Sequence, residues 1–138
     1  MEQYRRYIEN VLSGKELVSA TTRLTIDRHL NDLKKDPDKF GYYFDEDEAQ
    51  KVINFLKILR HPSGNKGIAD QRFNLQDNQA FITAVLFGWR RKSDGKRRFT
   101  ESYLEVSRKW GKSLYAAFVE IYIGFYEGNT GAGVFTAA

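Results

Sequence analysis

Cysteine is absent from the 138 residues, which excludes disulfides and thiolate metal sites within them. Histidine occurs only twice, at His29 and His61, and neither has neighbours that suggest an imidazole pair or a nucleophile to activate. There is no fixed-period repeat and no low-complexity tract. The longest apolar stretch, Leu114 to Tyr126, contains Glu120 and is too short to span a bilayer. The first residues, Met-Glu-Gln-Tyr-Arg-Arg, lack the apolar core of a secretory signal, so a cytoplasmic protein without a membrane partner is expected.

Aromatic side chains are what the chain has in quantity. Ten Phe, eight Tyr and two Trp supply enough large apolar surface for a folded core, which argues against disorder. The length suits one domain or a piece of one. The net charge of +4 is a weak pointer to a polyanionic partner, but its distribution is uneven. Six basic residues (Arg90, Arg91, Lys92, Lys96, Arg97 and Arg98) fall within nine positions, whereas Asp45-Glu46-Asp47-Glu48 is an acidic knot.

Apolar spacing predicts a helix over 2–12 carrying Tyr4, Tyr7, Ile8, Val11 and Leu12, with Gly14 as its stop. A second helix is predicted over 16–35, with Ile26, Leu30 and Leu33 on one face and Pro37 beyond it. Residues 40–44 read as an aromatic connector. Asp45 and Glu48 have capping-box spacing for a third helix burying Val52, Ile53, Leu56 and Leu59, so the acidic knot is read as a complement to that helix's dipole. His61-Pro62-Ser63-Gly64 ends it, and Pro62 to Lys66 is the best internal boundary. A fourth helix over 76–89 places Phe81, Ile82, Val85, Leu86 and Trp89 along one stripe. Residues 90–98 read as a hairpin turning at Asp94-Gly95.

The stretch with most chemistry in it is 103–117. Tyr103, Leu104 and Val106 suit a strand, and Leu114, Ala116, Ala117, Phe118 and Ile121 suit one face of a helix. Between them lies Ser107-Arg108-Lys109-Trp110-Gly111-Lys112-Ser113. Gly-Lys-Ser at a strand-to-helix junction is the end of a phosphate-binding loop: backbone N–H groups and the helix N-terminus favour phosphate oxygens, the Lys adds a positive charge, and the Ser hydroxyl suits Mg²⁺. The full pattern needs a further Gly where this chain has Val106. A basic loop capping a helix is the plainer alternative.

Taken in order, Phe73-x-Leu75 with Gln79 and Phe81, then Phe87-Gly88-Trp89 before a basic Asp-Gly hairpin, then the 107–113 loop, then Val134-Phe135-Thr136-Ala137-Ala138, resemble the start of the ATPase domain of tailed-phage terminase large subunits. Tyr7-Ile8-Glu9 and Gly41-Tyr42-Tyr43-Phe44-Asp45 resemble the leader of the same family, whose phosphate loop commonly lacks the first glycine. Asn78 stands where that family usually has Trp, and Trp110 where it often has a small polar residue.

The resemblance implies an α/β fold: a helical leader over 1–63, then, over 64–138, the first βαβ unit of a P-loop NTPase sheet, with parallel strands near 100–106 and 132–137. It implies ATP and Mg²⁺ as ligands, bound through Gln79 at the adenine edge and through Ser107, Arg108, Lys109, Trp110, Gly111, Lys112 and Ser113 at the phosphates. Lys112 would meet the β- and γ-phosphates, Ser113 would hold the metal, and Arg108 would stabilise charge on the transferring phosphoryl group. Double-stranded DNA, the terminase small subunit and the portal are the implied partners of the parent protein, which would act in the host cytoplasm and carry a nuclease as well. An apolar strand ending in Asp-Glu (the Walker B carboxylate and catalytic Glu) and the nuclease acids do not occur in these 138 residues, so the expectation is an ATP-binding leading fragment. The alternative is a non-catalytic nucleic-acid-binding or scaffold domain that uses the hairpin 90–98 on phosphates.

Overall fold

A computed structural model of the chain describes residues 1–61 and 71–127. Among these, the helices are α1 (Glu2–Leu12), α2 (Ala20–Leu33), α3 (Pro37–Phe40), α4 (Glu46–Ile58), α5 (Asp77–Gly88) and α6 (Lys112–Phe125). The strands are β1 (Tyr42–Phe44) and β2 (Trp89–Arg91), paired antiparallel in a two-stranded sheet. The fold is therefore mixed helix and sheet. The contacts gather into two compact units: one made of 1–54 and 74–102, the other of the described residues within 55–73 and 103–127.

In the first unit, local chemistry sets the element ends. The second helix starts at Ala20 rather than at 16, because the Ser19 hydroxyl accepts the Thr22 N–H at 3.2 Å. Leu17, 93% exposed, gives the residues before it no face to bury. Pro37 does more than end α2. It opens the one-turn helix α3, capped by Asp36 at the front and by left-handed Gly41 (φ +78°) behind. Asp45 Oδ1 accepts the Glu48 N–H at 3.0 Å, the forward half of the expected capping box. The Glu48 carboxylate itself faces Arg90 and Lys51.

The aromatic connector expected at 40–44 becomes β1, with Tyr42 opposite Arg91, Tyr43 opposite Arg90 and Phe44 opposite Trp89. The Lys92 N–H to Gly41 and the Asp45 N–H to Gly88 extend the ladder at either end, at 3.0 and 2.8 Å. Three residues are too few to show a period of two, which is why the strand is not visible in the apolar pattern. Helix α5 is buried nearly all round, so Thr83, Ala84 and Phe87 join the core, while Ile82 and Leu86 of the expected stripe are its half-exposed positions. Trp89 leaves the helix and begins β2.

The core of this unit is aromatic and centres on His29, which is 2% exposed. Its ring meets Phe44 at 5.1 Å, Trp89 at 5.8 Å, Tyr4 at 5.6 Å and Phe81 at 5.9 Å, each edge to face. Trp89 Nε1 donates to His29 Nδ1 at 2.9 Å, and Nε2 bonds the Tyr4 hydroxyl. Indole N–H can only donate, so Nδ1 is the acceptor and the neutral ring carries its proton on Nε2. Burial lowers the His29 pKa to about 4; Arg28 and Arg98 push the same way, and Asp32 opposes them.

In the second unit, α6 buries Phe118 of the expected face, but with Tyr115 and Tyr122 beside it, while Leu114 is half-buried and Ile121 exposed. Each of the three buried rings has an aromatic partner: Trp110 at 5.6 Å for Tyr115, Phe73 at 5.1 Å for Phe118 and Phe55 at 5.3 Å for Tyr122. Ring partners decide the buried face here, and aliphatic spacing alone does not reveal them. Residues 59–61 and 71–73 are tied by an antiparallel bridge between Arg60 and Arg72. Residues 101–107 have no regular secondary structure, so the strand expected near 100–106 does not form: a strand exists through its ladder, and this segment has no ladder partner among the described residues. The second expected strand, near 132–137, and the expected boundary at 62–66 lie outside the described residues.

Two outcomes follow from the packing. A Cβ built on Gly88 would lie 2.5 Å from Phe44 Cε2, and that ring is held by Tyr4, His29 and Trp89. Gly88→Ala should therefore cost about 1–3 kcal/mol in urea denaturation, and Phe44→Leu in the same chain should return part of it. The second outcome is a pH dependence. His29 has its folded pKa depressed from 6.5 to about 4, so the unfolded chain binds more protons between those values. Stability should fall by roughly 3 kcal/mol as pH drops from 6.5 to 4. A flat profile across that window would remove His29 from the core.

Candidate functional site

The loop singled out in the sequence runs into α6 in the second unit. Gly111 caps the helix in the left-handed region (φ +83°) and its carbonyl accepts the Tyr115 N–H at 3.0 Å. Lys112 and Ser113 are then the first two helical residues, and both are exposed. Lys109 also lies at positive φ (+67°), the one described non-glycine residue that does. A bulky side chain there costs about 1 kcal/mol or more against the ordinary helical region. Lys109 and Gly111 thus stand on either side of Trp110, both in the left-handed region. Ser107 and Arg108 are exposed, and the Trp110 indole leans edge-on against Tyr115. Tyr115 is the residue that sequence reasoning missed. It is 4% exposed and holds the loop's indole against the helix; a second aromatic five positions after Trp110 was its only signal.

Gln79 is in the first unit and is not the surface residue that a helix position would suggest by default. It is 2% exposed at the third position of α5, where its Oε1 accepts the Gln76 N–H at 3.0 Å within a capping box. The carbonyl of this amide is thus committed to the helix start. Next to it, Asn78 Oδ1 is buried without a hydrogen-bond partner among the described residues.

The basic hairpin forms, with a four-residue turn in place of the tight Asp-Gly one. Only Gly95 takes positive φ (+68°), and the Arg91 N–H reaches the Lys96 carbonyl at 2.9 Å. Its cations divide sharply. Arg90, 8% exposed, donates to Glu48 Oε2 at 3.1 Å and to the Gly95 carbonyl at 3.4 Å. Arg98 donates to Asp32 Oδ2 at 2.7 Å and lies about equally close to the rings of Phe40, Tyr42 and Phe99, 4.8 Å from each centroid. Arg97 covers Phe87 and donates to the Phe99 carbonyl at 3.1 Å. Arg91 pairs with Asp94 at 3.0 Å and Lys92 with Asp38, while Lys96 is exposed. Asp32 is held ionised: burial alone would raise its pKa, but bonds from Lys35 and Arg98 bring it below the ordinary value.

Among the described residues there is no cluster of His, Asp and Glu fit for a metal ion, and no helix long and apolar enough to cross a membrane. No curated protein and no solved structure matches the chain significantly. Residues 77–138 match the family model described as terminase large subunit, ATPase domain; that span begins with α5 and includes the hairpin, the 107–113 loop and α6. Over residues 77–138, somewhat less than half of its length, the chain is thus similar to the ATPase domain of terminase large subunits.

Proposed function

We propose that the chain contributes the nucleotide-binding start of a packaging-motor ATPase, with the triphosphate seated on the 107–113 loop at the head of α6. The observation that carries this reading is the exposed Lys112-Ser113 pair opening a 14-residue helix behind left-handed Gly111, within the span that matches the terminase family. A helix N-terminus favours phosphate through its free N–H groups and dipole. The Lys112 ammonium adds a mobile charge for the β- and γ-phosphates, and the adjacent Ser113 hydroxyl offers an oxygen to Mg²⁺, which when bound neutralises phosphate charge. Ser107, Lys109 and Trp110 shape the loop, and Arg108, exposed before the turn, is the cation for charge that develops on the transferring phosphoryl group. Gln79 remains the adenine-side candidate; its carbonyl would exchange the Gln76 N–H for the base.

In this proposal residues 1–63 form the leader, and 64–138 begin the ATPase domain and its parallel βαβ sheet. DNA, the small subunit and the portal are partners of the motor. A second reading, phosphate contact by the hairpin, is favoured by the exposed Lys92 and Lys96 at its tip.

Hydrolysis also needs a carboxylate to orient water, and the 138 residues present no Asp-Glu at the end of an apolar run. The chain is therefore expected to bind Mg-ATP at roughly 10–1000 μM without steady turnover. Lys112→Ala should weaken binding by about 2 kcal/mol, because phosphate oxygens lose a charge-assisted partner. Titration calorimetry beside a phosphate-release assay checks both. Wild-type affinity in Lys112→Ala would sink the phosphate loop, and steady turnover would sink the account of its incompleteness.

A further inference from the structure

The sequence concentrates basic residues in the hairpin, but the fold adds a second stretch to it. Arg98 is clasped by Asp32 of α2 and lies against Phe40 of α3, and Lys35 stands over that same Phe40 ring at 4.3 Å. Arg28 of α2 covers Phe99 at 5.2 Å, just past the hairpin, and Lys92 is joined to α3 through Gly41 and Asp38. The segments 28–40 and 90–98, some sixty positions apart in the chain, therefore lie together in the first unit. Between them they hold ten Lys and Arg against four Asp, a formal +6, whereas the rest of the chain sums to −2. The positive character of the protein thus resides in this one composite region.

We propose that the α2–α3 turn and the hairpin together form a single surface for the phosphate backbone of duplex DNA, on which Arg28, Lys34, Lys39 and Lys96 make contact and Arg90 and Arg98 serve only to hold the two segments together. The four contacting residues are exposed, and no carboxylate bridge occupies them among the described interactions; Arg28 lays one face of its guanidinium over the Phe99 ring and remains exposed on the other side. Arg90 and Arg98 have their guanidinium groups committed to Glu48 and Asp32. Lys34 and Lys35 at the end of α2 have a plainer explanation, as complements to the helix dipole. That explanation does not reach Arg28, Lys39 or Lys96, which lie away from that helix end in sequence and still belong to the same region. Charge complementarity selects a polyanion. Nothing in the surface reads base edges, so affinity should be indifferent to sequence and strongly dependent on salt.

The inference rests on the reading of the hairpin as a phosphate contact and extends it to α2 and α3, so the test separates the two. Fluorescence anisotropy of the 138-residue chain with two unrelated labelled 30-base-pair duplexes, titrated across salt, gives the slope of log affinity against log salt. Lys34→Ala with Lys39→Ala should reduce that slope by about two units and lower affinity equally for both duplexes. Lys96→Ala should reduce it by about one. These side chains are exposed, and matched circular dichroism and urea midpoints confirm that the variants fold. An unchanged slope in the α2–α3 variant, with a reduced slope in Lys96→Ala, overturns the composite surface and leaves the hairpin contact standing. Unchanged slopes in both overturn the two together. Binding to an acidic peptide such as poly-Glu, with none to either duplex at low salt, overturns the proposal in favour of a protein partner.

Discussion

A buried imidazole can be kept neutral and satisfied only if one neighbour donates to it and another accepts from it, and the first unit is built around meeting that requirement at His29. The donor is Trp89 of β2 and the acceptor is Tyr4 of α1, while His29 itself comes from α2. Three elements that share no local sequence are thereby fixed in mutual orientation by two directional bonds. The rings that surround the imidazole, Phe44 and Phe81, exclude the water that would otherwise substitute for either partner. Tyr4 is bound to the same condition: burial first, and then Glu46, raise its hydroxyl pKa, so it stays neutral and keeps its place in the chain of bonds.

The surface ion pairs follow from that arrangement more than they create it. Once α1 lies against α5, Arg6 meets Asp77 through two parallel bonds at 2.5 and 2.6 Å, and Gln3 reaches the Leu75 carbonyl at 2.6 Å. Arg6 is half exposed, and such pairs contribute little in water. The buried carboxylate of Asp32 is different. It has lost most of its hydration, and without Arg98 and Lys35 it would be an uncompensated charge. The position of the hairpin relative to α2 is thereby tied to an electrostatic necessity.

Much of this was legible in the sequence, and what was not has physical causes. The helices at 2–12, 46–58 and 77–88 are readable because their apolar residues recur over three turns. The short strand β1 is not, since Tyr42-Tyr43-Phe44 is held by its partner and by Gly41 and Gly88 rather than by its own pattern. His29 looked like an isolated histidine because its partners lie 25 positions before it and 60 after it. In the loop, Gly-Lys-Ser at a helix start could be read directly, and α6 does begin at Lys112. The strand before it could not be read reliably: Tyr103 and Leu104 have suitable propensities, but propensity does not supply a neighbouring edge. Gln79 shows the same limit from the other side, since an amide at the third helical position suits both a capping box and an adenine edge.

The hairpin shows why a count of positive charges is a poor guide to a binding face. Its arginines and lysines fall into different environments, and the division follows their chemistry. Guanidinium is planar and weakly hydrated, so it can stack on Phe40, Tyr42 and Phe99 or fork toward a buried carboxylate without a large desolvation cost. Ammonium is compact and strongly hydrated, which keeps Lys92, paired there with Asp38, and Lys96 at the surface in contact with solvent. Arg90 and Arg98 thus act inward, as the means by which a basic ribbon is fastened to an aromatic core. The lysines carry the outward field. Exchanging the two types along the ribbon would preserve its net charge but place strongly hydrated ammonium groups where Arg90 and Arg98 now face the core, weakening the attachment.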